Sequence, residues 1–239
     1  MTKCAELANL IGNINAGGGG ANKNAIINGS MNVAQRSVST SGVGANATTF
    51  PACDRWGLYS NDTDGRLTIS QDNSAPVGFA NSLKFDCTTA DTSVGTGEQI
   101  ILFQRIEGQN LQTFAKGTSS AKPFAVSFYV KGNASATYIC ELMDTDNSNR
   151  HVNKAFNVTT DWTRVEITFP PDTTGTLDDD NNKSLEFSIL LHNGSNLTSG
   201  TLQETWGSLV QANRGVGGSS IVDSTDRTFF ITGVQLEVG

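Results

Sequence analysis

The chain has 239 residues, enough for one large domain with a substantial buried core or for two small ones. Hydrophobic residues make up 37% and charged residues only 16%, with Asn, Ser, Thr and Gly supplying the remaining polarity, a bias toward strands and turns and away from both helix and disorder. A net charge of −7 without any cluster of Lys and Arg argues against nucleic acid or an anionic membrane surface as partner, and no apolar run reaches the ~20 residues that span a bilayer.

At the N-terminus, no charged region precedes an apolar one, so export by an ordinary signal peptide is not expected. Leu7, Leu10, Ile11 and Ile14 instead fall at the spacing of one apolar helix face. Gly17, Gly18, Gly19 and Gly20 follow, which stop a helix and provide a flexible joint. Residues 1–21 therefore read as an attachment peptide on a hinge. A helix this short is marginal alone in water, and the tether favours docking on another protein, or on further copies of the chain, over folding back on its own domain.

From residue 22 onward, strand signals alternate with Gly, Asn, Asp and Ser clusters. Strands are predicted at 25–35, 54–60, 66–71, 82–87, 98–106, 123–131, 137–143, 151–158, 163–169, 184–191 and 228–238. Phe124, Val126, Phe128 and Val130 share one face, as do Val165, Ile167 and Phe169, and Leu185, Phe187, Ile189 and Leu191. Near the end, Phe230, Thr232, Val234, Leu236 and Val238 are predicted to oppose Gln235 and Glu237. Period-two alternation means one buried and one wet face, so this many strands require two packed sheets or a closed barrel. A short helix is expected near Asn110–Ala115, and the polar stretch from Thr198 to Thr225 reads as a long loop, of the kind that is usually functional or mobile.

No catalytic constellation stands out. Cys4, Cys53, Cys87 and Cys140 lie in no metal-ligand spacing, nor do His151 and His192. Pairing of Cys53 with Cys87 is compatible with a sandwich, but a reduced protein is the simpler reading. Asn-x-Ser/Thr triplets at Asn133, Asn157 and Asn193 are what chance produces in such a composition. Asp144, Asp146, Asn147 and Asn149 superficially suggest a calcium loop, but Asn149 and Ala155 stand where an EF-hand needs Gly and Glu. Asp178, Asp179 and Asp180 read as a solvated turn, and no cofactor is expected. The glycine run is no phosphate loop, since no Gly-Lys-Ser/Thr follows it. A glycosidase would need two carboxylates held across a cleft, which spacing alone does not reveal. Of the three tryptophans, Trp56 and Trp162 are expected in or beside the core, and Trp206, inside the polar loop, is the better candidate for stacking on a sugar.

Several ordered segments resemble a β-sandwich domain of tailed-phage tail fibres and other virion structural proteins, itself similar to jelly-roll carbohydrate-binding modules. They are NAIINGSMNVAQR at 24–36, Asp54-Arg55-Trp56, KPFAVSFYVKG at 122–132, TTDWTRVEITFP at 159–170 and FFITGVQLEVG at 229–239. The resemblance spans residues 22–239 and implies an all-β jelly roll of two antiparallel sheets. It also implies a virion appendage assembled in the host cytoplasm, commonly a homotrimer, joined to other virion proteins through the N-terminal peptide and meeting host-surface glycan through exposed loops. A capsid or neck decoration fibre without receptor role, and a free carbohydrate-binding or glycan-degrading protein, are the alternatives. Many relatives continue past the segment matching VQLEVG, where this sequence stops.

Overall fold

The computed structural model describes residues 24–239, so the peptide bearing Leu7, Leu10, Ile11 and Ile14, its glycine hinge and Cys4 lie outside the described residues. The strands are β1 (Ser39–Val43), β2 (Ala47–Thr49), β3 (Gly57–Asn61), β4 (Arg66–Asp72), β5 (Ser82–Thr89), β6 (Gln99–Glu107), β7 (Phe124–Gly132), β8 (Ala136–Asp144), β9 (Arg150–Val158), β10 (Thr163–Phe169), β11 (Lys183–Asn193) and β12 (Thr228–Val238). They form two six-stranded sheets, a first of order β1-β4-β5-β12-β7-β10 and a second of order β2-β3-β6-β11-β8-β9. Every pairing is antiparallel. This is a jelly-roll β-sandwich.

The sandwich forms because the alternating apolar residues of both sheets face one shared interior. In β7, Phe124, Val126, Phe128 and Val130 are buried while the intervening residues are half-exposed. From the second sheet, Leu185, Phe187, Ile189 and Leu191 of β11 meet them. Trp56 joins this core edge-on to Phe187, at 5.9 Å between ring centroids, and its indole N–H donates to the Asn28 carbonyl at 3.0 Å. Cys53, Cys87 and Cys140 are buried free thiols. Burial pushes Cys53 up to about 12 and raises Cys87 and Cys140 as well.

Expectations near both ends of the described chain need correction. Residues 25–35 are not a strand: Asn28 and Met31 take φ of 55° and 58°, which breaks an extended run. The Asn28 amide holds that turn by donating to the Val33 and Asp54 carbonyls, both at 2.9 Å. The short helix expected near Asn110–Ala115 is present as the 3-10 turn Gln112–Phe114, with a second, Gly108–Asn110, just before it. In β12 the alternation changes phase: Phe229 and Ile231 face the core and Phe230 faces outward, whereas Val234 and Leu236 face inward as expected. A register shift between Thr232 and Gln235, with Gly233 at φ +64°, inserts the extra residue that flips the faces. The stretch after β11 has no strand of its own, as read from its composition, and backbone hydrogen bonds hold it down as a strap.

Candidate functional site

The outer face of the second sheet carries the most chemistry, and the strap from 194 to 222 divides it. After a single helical turn over Ser195–Thr198, the strap seats Leu197 on Ile101, Ile139 and Leu190, with Tyr59 and Leu202 at the margin of this small second core. It then runs along β9, whose edge would otherwise lie open. The His151 N–H donates to the Gly207 carbonyl at 2.9 Å and the Asn153 N–H to the Gln203 carbonyl at 2.7 Å. Beneath the strap, Glu141 is fully buried. Arg214 grips both its carboxylate oxygens, at 2.8 and 2.6 Å, and His151 Nδ1 lies 3.3 Å away. Burial alone would raise the Glu141 pKa, but the Arg214 guanidinium and His151 hold it down at about 2. This half of the face is therefore sealed.

The other half is open. A cleft of about 380 Å³ is lined by Arg36, Phe50, Arg55, Arg105, Glu107 and Lys183, among others. The β2–β3 connection delivers Phe50, which stays 39% exposed, and Phe103 supports it edge-on at 5.8 Å. Phe103 lies flat across β3 because Gly57, its cross-strand partner, leaves room for the ring. The Arg36 guanidinium sits 5.7 Å from the Phe50 centroid and that of Arg105 4.7 Å from Phe103. The nearby carboxylates are committed: Glu107 to Arg55 at 3.8 Å, and Glu186 to Arg105 and Lys183, each at 3.3 Å. Asp54 accepts the Gln35 N–H at 3.1 Å. Arg36 makes no ion pair among the described residues.

Trp206 lies outside this cleft. It is half-buried at one end of the sandwich, donating from its indole N–H to the Pro170 carbonyl at 2.8 Å and tilted against Phe124 at 5.6 Å. The Lys116 ammonium lies 5.3 Å from its ring. Lys116 is itself fully buried, bonded to Asp144 at 2.5 Å and Asp172 at 3.2 Å. Trp206 thus caps a buried ion network. Trp162 lies half-buried on the outer face of the first sheet against Phe230, at 6.1 Å.

The acidic runs are spent on their own turns. Asp144 receives the Asn147 side-chain amide on both oxygens, and Asp146 accepts the Asp178 N–H at 3.0 Å. Two groupings escaped sequence reasoning. One is the cleft, built from Arg36, the 50–55 run, the 105–107 run and Lys183, which nothing in the sequence brings together; its single signal is the aromatic Phe50 in a polar stretch. The other joins Asp91, Glu98 and His192, all buried, each offering a ligand atom within 4.8 Å of the others. His192 Nε2 is 2.9 Å from Glu98 and its Nδ1 2.8 Å from the Ser220 hydroxyl. Burial pushes Asp91 upward, but donors from Thr63, Asp64 and Ser93 bring it below the ordinary carboxylate value.

No family model and no curated protein matches the chain. Among solved structures, a CBM4 structure is similar at TM-score 0.46 and 14% identity, over 90% of this chain and 99% of that one. The enzymatically active domain of tailspike protein 4 from bacteriophage CBA120 gives 0.44 and 14%, over 90% of this chain but 21% of the other. A family 11 carbohydrate-binding module from Clostridium thermocellum, in complex with a mixed-linked tetrasaccharide, gives 0.40 and 14%, over 87% and 97%. These likenesses are distant.

Proposed function

We propose that the chain is a non-catalytic glycan-binding domain of a phage fibre, and that its saccharide lies in the cleft at Phe50. The observation that carries this reading is the exposed Phe50 ring in an open cleft of about 380 Å³, beside the Arg36 guanidinium, which makes no ion pair among the described residues. That volume lies within the range of small-ligand sites. An aromatic face stacks on the apolar face of a pyranose, and a free guanidinium recognises a carboxylate or phosphate in bidentate fashion. The ligand class is accordingly an acidic saccharide of the host surface. Glu107 and Glu186 are each paired with a cation, so neither is left free to serve as general acid or base.

The virion context rests on the segments at 24–36, 122–132, 159–170 and 229–239 that resemble fibre domains. In this reading residues 1–21 fasten the domain to other virion proteins, and three copies assemble side by side. Light scattering at micromolar concentration tests the trimer; a monomer removes it. Glycan binding is tested by calorimetry with acidic and neutral host polysaccharide fragments. Phe50→Ala and Arg36→Ala each weaken binding of the acidic fragment by roughly tenfold or more, equivalent to at least ~1.4 kcal/mol, with an unchanged melting temperature. Undiminished binding by both variants sinks the assignment. Loss in folded Trp206→Ala instead moves the contact to the strap, and release of reducing ends makes the protein an enzyme.

A further inference from the structure

We propose that Asp91, Glu98 and His192 form a site for a divalent transition-series cation, zinc foremost, which locks the β5–β6 connection and the strap onto β11. Asp91, Glu98 and His192 are 4%, 6% and 0% exposed. Two buried carboxylates need compensation, because an uncompensated buried charge is costly. Among the described residues the ion pair between Glu98 and His192 is the one such pair either carboxylate makes. Hydrogen-bond donors from Thr63, Asp64 and Ser93 hold Asp91, and the Gly95 N–H holds Glu98, but none of these carries a full charge; a divalent cation would balance both carboxylates at once.

Geometry agrees. A four-coordinate zinc with bonds of ~2.0–2.2 Å places its ligand atoms ~3.3 Å apart, close to the 2.9 Å between His192 Nε2 and Glu98 Oε2. The Asp91 oxygen comes within 4.8 Å of the other two. Imidazole together with carboxylates suits zinc or manganese better than calcium, which prefers an all-oxygen set. The outer layer is in place as well. Ser220 Oγ lies 2.8 Å from His192 Nδ1, leaving Nε2 turned to the cluster, and the Thr63 hydroxyl donates to Asp91 at 2.9 Å. Asp91 and Glu98 bracket the loop between β5 and β6, while His192 lies near the end of β11, where the strap departs. The strap's return is held by the Asp91 N–H, which donates to the Val222 carbonyl at 2.7 Å. A bound cation ties all three segments together. Its role is structural, and it does not depend on the glycan reading.

The test uses the full chain stripped with a chelator and titrated with zinc, manganese, calcium or magnesium chloride alone. Zinc or manganese binds at one ion per chain by calorimetry and native mass spectrometry, raises the melting temperature and slows amide exchange in 194–222. Glu98→Gln and His192→Gln, each confirmed folded by circular dichroism, lose that affinity by at least ~10-fold, and Ser220→Ala weakens it less. Should His192→Gln fail to fold, Asp91→Asn supplies the second comparison. No uptake by the wild-type chain, uptake undiminished in the variants, or a preference for calcium over zinc overturns the proposal.

Discussion

Glu141 shows how a single buried side chain can fix the strap. It carries a full charge with no exposure, and that charge is satisfied from a segment 73 positions away, by Arg214. Replacing it by Gln keeps the size but strands the Arg214 charge in the interior. Removing one partner of a buried pair costs ~3–5 kcal/mol, so Glu141→Gln is expected to lower unfolding free energy by about that much in urea titration. Converting both partners to apolar residues of similar volume recovers most of it. The pH dependence follows from the same pair. The folded-state pKa of Glu141 is depressed from the ordinary 4.5 to about 2, so the unfolded chain binds the proton first. Its stabilising contribution is complete above 4.5 and is lost as pH falls toward and through 2. Melting temperature measured across that window falls more steeply for wild type than for Glu141→Gln. Neither Glu141 nor Arg214 was conspicuous in the sequence, since an acid in a strand and an arginine in a polar stretch are each ordinary until the fold brings them together.

Among the elements, legibility followed the apolar alternation. β7, β10 and β11 were readable because Phe, Val, Ile and Leu recur at every second position there. β1 and β2, with sequences STSGV and ATT, carry no such signal and were missed. The phase of β12 was misread because a bulge adds one residue without altering composition, and period-two patterns cannot register it. Gly57 is a further element-level feature without a sequence signal. It opens β3 opposite Phe103, and a methyl group there would collide with the ring that supports Phe50. Overpacking of this kind costs ~1–3 kcal/mol, so Gly57→Ala should lower the melting temperature. It should also weaken glycan binding, because Phe103 must shift to make room and Phe50 rests on its edge. Retained stability together with retained binding would show that the ring relocates freely and does not position the cleft.

At the scale of the whole molecule, the proposed division between peptide and sandwich is tested by cutting the chain. Among the described residues the first tie to the sandwich is Asn24, whose side-chain oxygen accepts the N–H groups of Ile26 and Leu236, both at 2.9 Å. Ala25 N–H then donates to the Leu236 carbonyl at 2.8 Å, tying this segment to the final strand. Four residues on, Asn28 holds Val33, Asp54 and the Trp56 indole in place. Removal of residues 1–20 leaves all of these bonds intact, so the truncated chain is expected to melt at the wild-type temperature with an unchanged β spectrum. Removal of 1–28 breaks the Asn24 and Asn28 bonds together, freeing the Leu236 N–H and the Trp56 indole from buried partners. Each unsatisfied buried group costs ~1–3 kcal/mol, so that chain should be markedly destabilised or insoluble. If the peptide anchors a virion fibre, the shorter deletion must also lose incorporation into particles while keeping glycan affinity, because attachment and recognition then reside in separate parts of the chain. A 1–20 deletion that still incorporates would assign attachment to the sandwich itself, and one that melts early would place residues 1–20 within the folding unit.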